Sequence, residues 1–142
     1  MNHEKILIID FGSQVTQLIA RRIREFNIYS EVKNPDIDIE TIKSMNPRAI
    51  ILSGGPSRVN EDQSPSVDEA IFDLNIPILG ICYGQQIICK MLGGKVEESK
   101  VREFGKALIE ITQESALFND FTDKNSQVWM SHGDKVTKIP EG

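Results

Sequence analysis

Short, nearly continuous apolar runs alternate with helix-spaced apolar stripes over residues 5–94. Residues 5–10 (KILIID), 48–53 (RAIILS) and 76–81 (IPILGI) lack polar alternation, as strands of a sheet covered on both faces do. Residues 28–32 form a weaker strand ended by Asn34-Pro35. Between the strands, Val15, Leu18, Ile19, Ile23 and Phe26 recur at helical spacing, with Arg21, Arg22, Arg24 and Glu25 opposite and Ser13 as an N-cap. Ile39, Ile42 and Met45 predict a short helix stopped by Asn46-Pro47, and another begins at Ser66 and runs through Ile71 and Phe72. After residue 86, Ile87, Ile88, Met91 and Leu92 make a further stripe, closed by Gly93-Gly94. This β-α-β-α-β-α-β-α order predicts an α/β fold, an open, mostly parallel sheet with helices on both faces.

Beyond Gly94 the character changes. Residues 95–98, 106–112 and 127–131 read as strands and 117–121 as a helical turn, before a hairpin or loop at Ile139-Pro140-Glu141-Gly142. The whole stretch, 1–142, reads as one domain in which a closing helix and strand are expected to be missing. Apolar surface on the sheet should then be exposed and invite association.

Composition narrows the function classes. With 16 Lys plus Arg against 21 Asp plus Glu, the net charge is −5. No basic run is present, so nucleic-acid or anionic-membrane binding has no electrostatic support. No apolar segment approaches the roughly 20 residues that span a bilayer. The N-terminus enters a strand without a signal peptide, and two unpaired cysteines suit a reducing compartment, so a cytoplasmic location is expected. On one continuous helix Cys82 and Cys89 would stand roughly 10 Å apart along the axis. A disulfide needs Cα atoms within about 7 Å, which argues against a bridge. Two cysteines and two histidines without close pairing spacing form no recognisable metal site.

The chemistry is concentrated where residues 76–81 end. Cys82 occupies the corner between a strand and the following helix, with Gly80 and Gly84 on either side to let the backbone turn sharply and a substrate approach. This is the order of a nucleophile elbow with sulfur in place of the serine hydroxyl, and the helix N-terminus behind it favours a thiolate. The same spacing also fits a cysteine that only packs, since free cysteine is among the most buried residue types. Ligands of open parallel sheets bind outside the carboxyl ends of the strands, here the loops 10–14, 53–57 and 80–86. Gly54-Gly55-Pro56 could bring backbone N–H groups beside the Cys82 sulfur to hold an oxyanion, with the Tyr83 N–H as second donor. No Gly-Lys-Ser/Thr follows the glycine pair, so this is no P-loop. Of the two histidines, His3 lies at the wrong end of the sheet to serve as a base. His132, within Trp129-Met130-Ser131-His132-Gly133-Asp134, is the better placed, or else a polar turn residue at a strand end.

Taken together, Ile9-Asp10-Phe11-Gly12-Ser13-Gln14, Ser53-Gly54-Gly55-Pro56, Gly80-Ile81-Cys82-Tyr83-Gly84-Gln85-Gln86, Arg102-Glu103-Phe104-Gly105 and the Trp129 to Asp134 segment resemble class I (Cys-His-Glu triad) glutamine amidotransferases. The match covers essentially the whole chain. Asp-Phe-Gly-Ser-Gln and Met-Ser-His-Gly-Asp resemble the GMP synthase branch. The resemblance implies a flavodoxin-like architecture and glutamine hydrolysis through a thioester on Cys82, with the Gly55 and Tyr83 amides as the oxyanion hole. It implies that Gln86, Ser131, His132, Gly133 and Asp134 bind the substrate L-glutamine. No cofactor is expected in this domain. The ammonia would pass to a synthetase domain or subunit that uses ATP and Mg²⁺ to adenylate xanthosine monophosphate. The family's catalytic His and Glu, in a His-Pro-Glu-type segment, would lie beyond Gly142, so His132 is not promoted to base and these residues alone are expected to be inactive or nearly so. The alternatives are a non-catalytic module that binds glutamine or a synthetase partner, and another cysteine-elbow hydrolase.

Overall fold

The structure, a computed structural model, describes residues 3–142, with the side chains of 101–103 outside the description; the Arg102-Glu103 pair of the family motif falls there. The chain divides into two compact units, Met1–Glu97 with Val136–Gly142, and Glu98–Lys135.

In the first unit, β1 (Lys5–Ile9), β2 (Tyr29–Lys33), β3 (Ala49–Leu52) and β4 (Ile78–Gly80) form one parallel sheet in the order β2-β1-β3-β4. The apolar run Ile6, Leu7, Ile8, Ile9 sends alternate side chains to opposite faces, which is why it must be apolar throughout. Leu7, Ile9, Ile50 and Leu52 meet α2 (Ile39–Met45), α3 (Tyr83–Met91) and the short 3₁₀ helix at Glu69–Asp73; Ile8 and Ile51 meet α1 (Thr16–Glu25) through Ala20, Ile19 and Ile23. Right-handed crossovers account for this division. The chain moves one way from β1 to β2 and the other way from β2 past β1 to β3 and β4, so α1 lies on one face and the later helices on the other. Each fully buried isoleucine or leucine of this sandwich contributes about 1.5–3 kcal/mol.

Several expected boundaries move. Ser13 does not cap α1: its hydroxyl accepts from the Val15 N–H at 3.1 Å, and the helix starts at Thr16 behind an uncapped Val15. The helix expected from Ser66 contracts to a 3₁₀ turn behind Asp68, whose carboxylate accepts from the Ala70 N–H at 3.0 Å. The helix expected behind Cys82 begins at Tyr83, as its place at the strand–helix corner predicts.

The loop between β3 and the 3₁₀ turn is tied down by side chains that reach carbonyls. Lys90 Nζ donates to Val59 O at 2.7 Å, Asn60 Nδ2 to Val96 O at 2.6 Å and Ser64 Oγ to Val59 O at 3.1 Å. The Tyr83 hydroxyl donates to Pro65 O, and its ring, 2% exposed, stands 5.0 Å from that of Phe11.

In the second unit, β5 (Lys95–Glu110) and β6 (Asn125–Lys138) pair as a two-stranded sheet, with a 3₁₀ turn at Ala116–Phe118. The separate short strands expected at 95–98 and 106–112 are thus one strand, carried through Gly105 at a positive φ of 111°. Phe104, Leu108 and Trp129 are exposed on it, with the Lys106 ammonium 5.8 Å from the centre of the Trp129 ring.

Two titrations check this packing. The Asp38 carboxylate caps α2, accepting from the Thr41 N–H at 2.7 Å and then its hydroxyl at 2.9 Å, and these bonds hold it below the ordinary 3.8. Its capping contribution is therefore complete above pH 3.8 and is lost as pH falls through the lower folded value. Carboxyl NMR should give an Asp38 midpoint under 3.8, and a midpoint at or above it would refute the cap. Burial, foremost, and then the nearby Glu61 charge raise the Tyr83 phenol above 10.0, against an opposing hydrogen bond with Ser64. Stability from this residue is thus complete below pH 10.0 and declines as pH rises toward the folded value. Denaturant midpoints should fall more steeply with alkaline pH in the parent than in Tyr83→Phe; equal slopes would contradict the burial.

Candidate active site

The carboxyl ends of β1, β3 and β4 converge on Cys82. The cysteine is the residue before α3, is exposed, and has φ 53° and ψ −114°. A positive φ on a residue with a Cβ is costly, about 1–3 kcal/mol, and persists only where neighbours over-determine it. Here they do. Ile81 N–H donates to Leu52 O at 2.9 Å ahead of the cysteine; behind it, Gly84 N–H donates to Ser53 O at 3.1 Å and Ile81 O at 3.0 Å. The result is a side chain projected away from the sheet end at the first turn of a helix.

The flanking glycines act differently from the expectation that they make the turn, since the positive φ falls on Cys82 itself. Their role is close approach. A Cβ on Gly84 would lie 2.0 Å from Leu52 O, and one on Gly80 would lie 2.7 Å from the Gln85 N and Cα atoms. Both openings are needed for α3 to seat its first turns on the sheet.

Beside the cysteine stands the Gly54-Gly55 loop that follows β3. A Cβ on buried Gly54 would come within 3.3 Å of Cys82 Cβ and 3.7 Å of the Ser13 side chain. One on Gly55 would lie 2.1 Å from Phe11 O, so the second glycine is pressed onto the loop after β1. The loops 10–14, 53–57 and 80–86, singled out as strand-end loops, are therefore brought together. Gly55, Cys82, Tyr83 and Gln86 share this edge: Tyr83 opens α3 and is buried, and Gln86, one turn along, donates its N–H to Cys82 O at 3.2 Å.

Ser131, His132, Gly133 and Asp134 belong to the other unit and lie within β6 rather than in a turn. Asp134 is buried there, His132 half-buried and Ser131 exposed. His132 Nδ1 is 2.8 Å from Asp134 O, a bond that fixes the ring on its own strand. His3 precedes β1, at the amino-terminal end of the parallel strands, whereas Cys82 follows the carboxyl end of β4. Among the described residues no group of three or more His, Cys, Asp or Glu is placed to hold a metal ion, and no helix is long and apolar enough to cross a membrane. Cys89, the second thiol, is buried on α3, its Sγ 3.2 Å from Lys138 O.

Asp10 and Ser53 lie within the quoted motifs, but their connection through Thr16 is not readable from them. Asp10 Oδ1 accepts from Gly12 N–H at 2.8 Å and from Thr16 Oγ1 at 2.9 Å, and Thr16 Oγ1 is 3.0 Å from Ser53 Oγ. Thr16 and Ser53 are 1% and 0% exposed.

Comparison with known proteins gives the family. The family of class-I glutamine amidotransferases matches residues 7–142. A GMP synthase [glutamine-hydrolyzing] of Brachyspira hyodysenteriae is 57% identical over 141 residues, 99% of this chain and 27% of that protein. One from Oceanobacillus iheyensis is 58% identical over 139 residues, 98% of this chain and 27% of that protein. The chain thus spans about a quarter of the length of these curated relatives. Among solved structures, a protein of Thermoplasma acidophilum described as one subunit of a GMP synthase superimposes with a TM-score of 0.86 at 31% identity, over 99% of this chain and 70% of that one. A Thermotoga maritima glutamine amidotransferase shares the fold, with a TM-score of 0.75 at 24% identity, over 98% of this chain and 64% of that one. The parallel sheet, the elbow at Cys82 and the glycine loop beside it are those of a chain that belongs to the class-I glutamine amidotransferase family.

Proposed function

We propose that this chain is the glutamine-hydrolysing part of a GMP synthase, supplying ammonia for the amination of xanthosine monophosphate. The observation that carries the reading is the strained, exposed Cys82 at the head of α3 with Gly54 packed against its Cβ. The high identity to GMP synthases narrows the family reading to that branch.

In this reading the Cys82 sulfur attacks the side-chain amide carbon of L-glutamine. The carbonyl oxygen becomes an oxyanion, held by the Gly55 and Tyr83 N–H groups. Collapse of the tetrahedral adduct breaks the C–N bond, the nitrogen leaves as ammonia after taking up a proton, and a γ-glutamyl thioester remains on Cys82. Water then attacks the thioester, releasing glutamate and restoring the thiol. Gln86 contributes to glutamine binding from α3. No cofactor takes part at this site. ATP and Mg²⁺ act in the synthetase region, a fused domain or separate subunit, where the ammonia is consumed. The protein works in the cytoplasm.

The proton acceptor for Cys82 comes from a His-Pro-Glu-type segment of the full-length protein outside these 142 residues. One observation supports that assignment: His3 precedes β1, at the amino-terminal end of the parallel strands, whereas Cys82 follows the carboxyl end of β4. The stretch 1–142 by itself is then a glutamine-binding module with little turnover.

The full-length protein should release ammonia from glutamine, and Cys82→Ala should reduce this to background. The isolated 142 residues should be slower than the full-length protein by about 10³-fold or more, the order lost when a triad member is removed. Activity that survives Cys82→Ala would refute the nucleophile. A rate for the isolated stretch near that of the whole protein would refute the external base.

A further inference from the structure

We infer that Asp10, Thr16 and Ser53 form a hydrogen-bonded relay that positions the Gly54–Gly55 peptide, and so aims the Gly55 N–H at the developing oxyanion. The inference rests on the glutaminase reading above and adds three positioning residues to it.

Proton counting sets the direction of the relay. A carboxylate only accepts, so Thr16 must commit its single hydroxyl proton to Asp10 Oδ1, 2.9 Å away. Thr16 Oγ1 is then left as an acceptor, and Ser53 Oγ, at 3.0 Å, donates to it. Ser53 Oγ also donates to Gly54 O, at 3.3 Å. Its single proton is shared between Thr16 Oγ1 and Gly54 O, and the chain from Ser53 through Thr16 to Asp10 holds the serine hydroxyl in the orientation that keeps it on the Gly54 carbonyl. Gly54 C=O and Gly55 N–H belong to the same rigid peptide plane, pointing in opposite directions. Whatever orients the carbonyl therefore orients the N–H.

Ser53 is well suited to this because it is held on all sides. Its N–H donates to Ile9 O at 3.0 Å, its carbonyl accepts from the Gly84 N–H at 3.1 Å, and its side chain is fully buried. It joins the end of β1, the first turn of the nucleophile's helix and the glycine loop. Gly54 and Gly55 lack side chains that could hold their own conformation, so the restraint has to come from outside them. Asp10 anchors the far end: by also accepting from the Gly12 N–H, it fixes the loop whose Phe11 carbonyl backs onto Gly55.

The test uses the full-length protein. Thr16→Val keeps the shape and removes the hydroxyl; Ser53→Ala removes the other end of the bond. Each should lower kcat for glutamine hydrolysis about 10- to 100-fold, less than outright loss of an oxyanion donor. KM for glutamine should stay within about twofold, and so should the rate at which iodoacetamide alkylates Cys82, because that displacement forms no oxyanion. Thr16→Ser should recover kcat to within about threefold. The double variant should lose little more than the worse single one, since both break one connection. Independently of turnover, ¹⁵N order parameters at Gly54 and Gly55 should fall from the rigid value of about 0.85 in both single variants, while those in β1 and β3 hold.

Unchanged kcat in folded Thr16→Val and Ser53→Ala would overturn the inference, as would parallel losses of kcat and alkylation, which mark general damage. If the parent protein shows no Cys82-dependent glutaminase, the functional reading falls. The order parameters then decide the relay alone: rigid glycines in both variants would overturn it.

Discussion

The first turn of α3 rests on the carboxyl end of β3, and the rest of the site depends on that contact. Gly84 N–H donates to Ser53 O, and its Cα faces Leu52 O so closely that no side chain would fit. With α3 pinned there and Ile81 N–H bonded to Leu52 O, the one residue left to make the turn is Cys82, which takes the positive φ that glycine would adopt more readily. The strain is thus placed on the sulfur-bearing residue by its neighbours, and the sulfur is projected at the sheet edge.

The sheet makes this contact possible. Leu7, Ile9, Ile50 and Leu52 are all fully buried beneath α2, α3 and the 3₁₀ turn, so β1 and β3 form a rigid base. On that base the loops after β1 and β3 lock together through Gly55 against Phe11 and through the Asp10, Thr16, Ser53 hydroxyl chain. The Tyr83 side chain faces the other way, fixing the long loop after β3 by its hydroxyl on Pro65 O while its backbone begins the helix. One residue therefore links loop anchoring to the position of the backbone N–H next to the nucleophile.

Much of this was legible in the chain. The nearly all-apolar runs at 5–10 and 48–53 could be read as strands buried on both faces, and the run at 76–81 as a strand, although β4 stands at the edge of the sheet with Leu79 exposed; their spacing left room for crossover helices, so the parallel sheet and its strand-end loops followed. The corner at Cys82 could be read because the apolar pattern changes period there. Three things could not. Whether the turn's positive φ fell on a glycine or on Cys82 depends on how close α3 comes to Leu52 O, a tertiary distance. The helix expected from Ser66 shrank beside a loop held by partners remote in sequence: Lys90 on Val59 O, Tyr83 on Pro65 O, and Val96 O accepting from Asn60. And the relay from Asp10 to Ser53 joins residues whose polar character at strand ends is ordinary until β1 and β3 are set side by side. The segment Ser131 to Asp134 was recognised by its motif, and its placement on a strand came only with the structure.

The central claim is that Cys82 carries the acyl group during glutamine hydrolysis. The most direct measurement is acid quenching of the full-length protein during turnover of isotopically labelled glutamine, followed by mass analysis of its peptides. The account predicts labelled γ-glutamyl on the peptide containing Cys82, discharged by hydroxylamine and absent in Cys82→Ala. Ammonia release with no label on that peptide, or label carried on Cys89 instead, would contradict it.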